Sequence, residues 1–203
     1  QGEVKLPAFE QTTLPSGTRI ALVPKRDTPL VDMVVLVRGG SLADAPGREG
    51  TASLLAEVMQ KGAGKRDATQ FAEAIESAGG ALAVFTGAES LGVTASFLAR
   101  DTGLMIELAS DVLLRPGLAP AEFDKARTLA IQSIAAAKDS DPRALLGEYG
   151  DAWLFRGHPY GRPVDGDEQS LAAVTLDDVK RHYAEHVRGD RLIIVVVGDF
   201  EPQ

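Results

Sequence analysis

The sequence of 203 residues contains no cysteine, which excludes disulfides and thiolate-bound metal sites. It is also short of positive charge, because 21 lysines and arginines face 29 aspartates and glutamates, giving a formal net charge of -8. Nucleic-acid binders need a basic face, so this class of function is disfavoured. The longest apolar run, residues 192–197, is far too short to span a bilayer. Low-complexity tracts and internal repeats are missing as well.

The apolar residues that are present predict an α+β fold, a mostly antiparallel β-sheet with helices packed on one face. Residues 9–14 and 19–23 flank Pro15-Ser16-Gly17, which predicts a β-hairpin. Further strands are predicted at residues 30–37, 81–86 and 91–98, and a last, fully buried strand at residues 192–197.

Helical periodicity separates these strands. Between Gly50 and Gly62 the apolar residues recur at helical spacing, at positions 54, 55, 58 and 59. Other helices are predicted over residues 67–78, 101–114, 120–138, 142–155 and 175–187, with a polar loop at residues 158–167. Tyr149, Trp153 and Phe155 have near-helical spacing and are predicted to be core residues.

Several short motifs occur in a specific order. Gly50-Thr51-Ala52 is followed by a helix and then by Lys61-Gly62. The remaining motifs are Leu14-Pro15-Ser16-Gly17, Arg38-Gly39-Gly40-Ser41, Gly79-Gly80, His158-Pro159-Tyr160-Gly161-Arg162-Pro163 and the strand ending at Gly198. Together they resemble the pitrilysin (insulinase-like) zinc metallopeptidase family, the inverzincins, over nearly the whole chain.

The resemblance implies a zinc site on the helix after Gly50. Family members place two zinc-binding histidines four residues apart, on one helical face, with a general-base glutamate just before the second. In this sequence the histidine positions are Ser53 and Glu57, the base position is Ala56, and a third-ligand position falls on Ser133. We therefore predict a degenerate, inactive domain that lacks catalytic residues, metal ligands and a cofactor, with zinc only in an active partner.

The resemblance also implies a strand that contacts peptide. Family peptidases commonly carry an asparagine where this sequence has Ala83, next to Val84 and Phe85. Such a strand can still pair with an extended peptide, because β-strand addition uses backbone groups. A plain edge strand that packs against another domain is the alternative, and both interpretations stay open.

Residues 182–186 form a literal His-x-x-Glu-His motif. Taken alone, His182, Glu185 and His186 predict an active zinc metallopeptidase, which is the alternative function. They lie on the helix before the last strand, where the resemblance places no metal. The buried stripe of that helix is predicted at positions 176, 179, 183 and 187, so the histidines are expected to face solvent. His158 is predicted to stabilise a turn.

The resemblance implies that residues 1–203 form a single domain, about half of a longer two-domain or tandem protein. The expected partners are a zinc-bearing subunit or tandem half, in a heterodimer, and a peptide substrate enclosed between the halves. Nucleic acid and a membrane span are not expected. A purely structural protein, like the core subunits of respiratory complexes, is a further alternative. Relatives of this kind are often exported, so we expect the bacterial periplasm, with the cytoplasm as the alternative.

Overall fold

A computed structural model describes residues 8–140 and 142–202. Its strands are β1 (Glu10–Thr13), β2 (Arg19–Pro24), β3 (Leu30–Arg38), β4 (Gly62–Ala63), β5 (Arg66–Asp67), β6 (Ala81–Thr86), β7 (Ser90–Leu98) and β8 (Leu192–Gly198). Six of them form one sheet in the order β1-β2-β8-β3-β7-β6, and β4 pairs with β5. Only β2 and β8 are parallel neighbours in the described sheet, so the predicted α+β fold is confirmed.

The helices are α1 (Thr51–Met59), α2 (Ala68–Ser77), α3 (Thr102–Leu114), α4 (Pro120–Ser140), α5 (Leu146–Leu154), α6 (Glu168–Ala173) and α7 (Leu176–His186). Reciprocal capping boxes begin α2 at Asp67, α6 at Asp167 and α7 at Thr175. Helix α6 was not predicted, because it is short and its capping partner is a serine instead of the usual Glu or Gln. No helix in the described ranges is long and apolar enough to cross a membrane.

The core lies between one face of the sheet and the helices. Alternate residues of β3 point into it, and the apolar face of α1 packs above them. Leu55, Phe71, Phe97, Met105 and Leu108 are among the largest fully buried side chains. Helix α1 is therefore held at the centre of the domain, and this fixes the face that carries Ser53 and Glu57.

Two predictions of buried apolar segments were wrong. The residues of β8 from Leu192 to Val197 are only half-buried, because the described helices cover one face of the sheet and leave the other open. Tyr149 and Trp153 are 57% and 69% exposed, because α5 contacts mainly the adjacent turns at residues 142–145 and 159–161. Phe155 is half-buried and meets the ring of Tyr160 edge-on, with centroids 5.9 Å apart.

Candidate functional site

The four degenerate motif positions meet in one cleft. Ser53, Ala56 and Glu57 lie on α1, Ser133 lies on α4, and all four line a cleft of about 500 Å³. Val84 and Phe85 of β6 also line it, so the predicted edge strand borders the same space. The rest of the lining is mostly apolar and includes Leu129, Ala130 and Ile134. The fold thus brings residues from distant parts of the chain to the place where the resemblance implies a metal site.

The donor atoms in this cleft do not fit a zinc ion. The Ser53 hydroxyl donates to Asp165 Oδ1 at 2.7 Å, and Glu57 pairs with Lys61 Nζ at 2.7 Å. Ala56 offers no donor, and Ser133 offers a neutral hydroxyl. Zinc prefers imidazole, thiolate and carboxylate ligands in tetrahedral sets. Across residues 8–140 and 142–202, no group of three or more His, Cys, Asp or Glu side chains could hold a metal.

Strand β6 borders the cleft with unpaired backbone groups. The Gly87 N–H donates to the Ser90 carbonyl at 2.8 Å, which continues the β6–β7 ladder beyond Thr86. Hydrogen-bonded and non-hydrogen-bonded positions alternate along an antiparallel pair of strands, so the N–H and C=O groups of Leu82, Val84 and Thr86 point away from β7. No strand of the described chain pairs with that outer edge. By the register, the Ala83 side chain lies on the open face of the sheet, and that of Val84 on the helical face.

Asp44 fixes the start of α1. Its carboxylate accepts the Gly50 N–H at 2.9 Å and the Ala52 N–H at 3.0 Å, and the residue is only 4% exposed. Gly50 has a φ of 93°, a left-handed conformation that suits glycine. Helix starts leave N–H groups without partners, and here a remote side chain satisfies them. Sequence reasoning missed Asp44, because a capping residue is normally sought directly before the helix.

The His-x-x-Glu-His helix is arranged differently from the prediction. His182 is buried, so the expectation that both histidines face solvent was wrong. His182 Nε2 lies 2.9 Å from the Gly39 carbonyl oxygen, and Nδ1 lies 3.5 Å from Asp44 Oδ1. The cause is the packing of α7 against α1, which turns position 182 toward the start of α1. His186 is half-buried, with Nδ1 2.7 Å from Arg191 Nη1, and Glu185 is exposed.

Asp44 and His182 form a buried pair beside the start of α1. A carbonyl oxygen only accepts hydrogen bonds, so the Nε2 of His182 carries its proton toward Gly39. In the neutral imidazole, the Nδ1 atom that faces Asp44 therefore carries no proton. Burial raises the pKa of Asp44 to about 7, although its backbone hydrogen bonds lower it. Burial also lowers the pKa of His182, so burial disfavours the charged form of both groups.

The raised pKa of Asp44 predicts a pH-dependent stability. The folded protein holds the carboxyl proton of Asp44 more tightly than the unfolded chain does. The resulting stabilisation is complete below about pH 4 and is lost as the pH rises through about 7. Asp44→Asn removes this titration. We expect the stability of the unmodified chain, relative to Asp44→Asn, to fall by about 2–3 kcal/mol between about pH 5 and pH 8. Urea unfolding measures it, and a pH-independent difference contradicts the assignment.

His158 has the role that was predicted. It precedes the turn at Pro159–Gly161, and its Nδ1 accepts the Tyr160 N–H at 3.2 Å. The Tyr160 hydroxyl in turn donates to Glu89. His158 therefore stabilises a turn.

Comparisons with known proteins agree with this architecture. The family model described as Insulinase (Peptidase family M16) matches residues 19–168. An uncharacterised zinc protease of Mycobacterium leprae is 30% identical over 94% of this chain and 43% of its own length. A probable mitochondrial-processing peptidase subunit beta of Arabidopsis thaliana is 23% identical over 95% of this chain and 36% of its own.

Solved structures share the fold. A peptidase M16 inactive domain from Pseudomonas fluorescens superposes with a TM-score of 0.88 at 20% identity, covering 96% of this chain and 47% of that one. The chain therefore spans less than half the length of the relatives it matches.

Proposed function

Because the chain belongs to the insulinase family, peptidase family M16, we propose that it is the catalytically inactive half of a peptidase assembly. In this proposal it pairs with a zinc-bearing half and helps to enclose a peptide chamber. The observation that carries the proposal is the cleft, where Ser53, Ala56, Glu57 and Ser133 replace the ligands and the base while the helical framework remains. Zinc and peptide hydrolysis then belong to the partner half.

Two features support a role in binding instead of chemistry. Hydrolysis of a peptide at a zinc site needs a metal-bound water and a general base beside it. The cleft offers no set of zinc ligands, and its two carboxylates, Glu57 and Asp165, are engaged by Lys61 and Ser53. The same cleft is mostly apolar and opens beside the outer edge of β6, where the backbone groups of Leu82, Val84 and Thr86 are free within the described fold. An extended peptide added to this edge gains backbone hydrogen bonds without any particular side chain on β6.

Pairing is supported by the comparisons. The matched relatives are more than twice as long as the matched segment, and one of them is described as a subunit of a processing peptidase. We propose that this chain is likewise one half of a heterodimer or of a tandem polypeptide. One solved structure that shares the fold is a periplasmic protease from Escherichia coli, and it supports the periplasm as the proposed compartment.

The test is a mixing experiment with the zinc-bearing family protein from the same genome. If both halves belong to one polypeptide, the substitutions named below are made in that polypeptide. We expect no hydrolysis of an unfolded fluorogenic peptide by this chain alone, and a clear gain in turnover on mixing. Leu82→Pro removes one outward N–H and is tolerated at an edge. It should weaken the gain about tenfold, the value of one backbone hydrogen bond.

Leu82→Ala is the matched control, because it shortens the same side chain but keeps the N–H group. It should retain most of the gain, within about threefold of the unmodified chain. Equal losses in both variants contradict backbone pairing. No change in the turnover of the zinc-bearing protein on mixing contradicts the pairing itself and favours the purely structural alternative. Hydrolysis by the chain alone, lost with His182→Ala and His186→Ala, favours the enzymatic alternative.

A further inference from the structure

The cleft beside β6 is a sizeable cavity with an apolar wall. Helix α1 packs against both α4 and β6, so it forms the floor of the cleft, and the other two elements form the sides. The wall on α4 consists of small and aliphatic residues at helical spacing, Ala126, Leu129, Ala130, Ile134 and Ala137. The cleft volume of about 500 Å³ lies within the range of about 300–1,000 Å³ for pockets that bury a ligand. It exceeds what one amino-acid side chain fills.

Leu129 shows that the apolar wall lacks a partner within the described fold. It lines the cleft and is 56% exposed, and Ser133, one turn further along α4, is exposed as well. A single exposed leucine is common on protein surfaces, but this one borders the same cavity as the free edge of β6. A large aliphatic side chain in such a place gains free energy when an apolar group covers it.

Strand β6 determines which side chains of an added peptide enter the cleft. Val84 is buried and lines the cleft, and the Thr86 hydroxyl donates to the Ala52 carbonyl of α1 at 3.0 Å, so both side chains lie on the helical face of the sheet. Residues directly opposite each other on neighbouring strands point to the same face, and their neighbours in sequence point to the other face. Peptide residues opposite Val84 and Thr86 therefore point into the cleft, while the residue between them points away.

The charges in the cleft narrow the chemistry of those two side chains. Glu57 is neutralised by Lys61 at 2.7 Å, whereas Asp165 accepts the Ser53 hydroxyl and forms no ion pair within the described chain. A peptide carboxylate is repelled by Asp165 and loses its hydration against the apolar wall. The cleft therefore suits uncharged apolar side chains, and its volume suits bulky ones.

We propose that the cleft selects extended peptides that carry two bulky apolar residues at alternate positions, one opposite Val84 and one opposite Thr86. Such residues lie about 6–7 Å apart on one face of a strand, so both side chains reach one cavity. Ser53, Ala56 and Ser133 are shorter than the histidines and glutamates that the resemblance implies there, which enlarges the cavity. This inference rests on the proposed role in peptide binding and adds the class of peptide.

Two peptide isomers test this selection. Both are short threonine-rich peptides with two phenylalanines, which are separated by one threonine in the alternating isomer and are neighbours in the adjacent isomer. Their composition and hydrophobicity are equal, but the alternating isomer alone places both rings in the cleft. Protein variants are made in the polypeptide as its gene encodes it, and a chelator prevents hydrolysis of bound peptide. Fluorescence anisotropy of labelled peptide gives the dissociation constants.

We expect the alternating isomer to bind at least about tenfold more tightly, the effect of burying one further aromatic side chain. Ser133→Phe fills part of the cleft from an exposed position and should reduce this preference to less than about threefold. Thr128→Phe is the matched control, because it adds the same ring at another exposed hydroxyl residue of α4 that does not line the cleft. It should keep the full preference. Urea unfolding checks that both variants fold, and Ser133→Leu replaces Ser133→Phe if the larger ring impairs folding.

Equal affinities of the two isomers overturn the inference. If Leu82→Pro still weakens the binding of both, pairing with the β6 edge and the proposed function stand without the selection. If neither isomer binds, peptide binding by this half fails and the inference fails with it. An unchanged preference in Ser133→Phe also overturns the inference, because the preference then arises in the other half.

Discussion

Replacing Asp44 by alanine should lower the free energy of unfolding by about 3 kcal/mol, the largest loss we expect from a polar substitution in this domain. The carboxylate accepts two backbone N–H groups at the start of α1 and faces a buried histidine. Alanine leaves those N–H groups without a partner. Water has little access to replace the carboxylate, because Asp44 is only 4% exposed. A buried donor without a partner costs about 1–3 kcal/mol.

The matched control is Asp27→Ala. Asp27 pairs with Lys25 at 3.4 Å on the surface, where its side chain is 74% exposed, so the same change should cost less than about 0.5 kcal/mol. Urea unfolding of both variants near pH 6 measures the difference. Similar losses in the two variants would show that Asp44 does not hold the helix start.

We expect the substitution of Asp44 to affect the candidate site as well, through α1. That helix carries Ser53, Ala56 and Glu57, and its position relative to α4 sets the width of the cleft. A loosened start of α1 should therefore weaken peptide binding as well as stability. A titration with mild denaturant separates the two effects: peptide binding should be lost before the domain unfolds, because local fraying precedes global unfolding.

The elements with strong periodicity were predictable from the sequence. Strand β3 alternates buried and exposed residues, and α1 repeats its apolar residues every three or four positions, so each pattern specified one structure. The motif positions could be placed because this spacing fixes which residues share a face. Ser133 was placed in the cleft by the resemblance alone, since nothing in its own neighbourhood marks it.

Polar pairs between distant segments were not predictable. His182 was expected in solvent because it flanks the apolar stripe of α7, but Asp44, far away in the sequence, gives it a buried partner. The prediction for Trp153 was wrong in the opposite direction. An apolar residue is expected in the core, but no described element covers the side of α5 that carries Trp153. The prediction for β8 was wrong for the same reason: its composition fits a strand that is covered on both faces, but the described fold covers only one face.

Restoring three donors should restore zinc binding. Ser53→His and Glu57→His place imidazoles four residues apart on the cleft face of α1, and Ser133→Glu adds a carboxylate from α4 across the same cleft. We expect the triple variant to bind one zinc ion with a dissociation constant of about 1 μM or tighter, which corresponds to about 8 kcal/mol. The substitutions break the Ser53–Asp165 hydrogen bond, the exposed Glu57–Lys61 pair and a long hydrogen bond from Gln60 to Glu57, and these surface interactions cost little to lose.

The control keeps both histidines and moves the carboxylate, with Thr128→Glu in place of Ser133→Glu, because Thr128 is exposed on α4 and does not line the cleft. It should bind zinc at least about tenfold more weakly, since a ligand is missing. Calorimetry and metal content after chelation and reloading measure both. Equal affinities would mean that Ser133 is not the third-ligand position. If the triple variant alone gains zinc, the domain has lost its donor atoms and kept the geometry that once suited them, as expected of a half retained for binding.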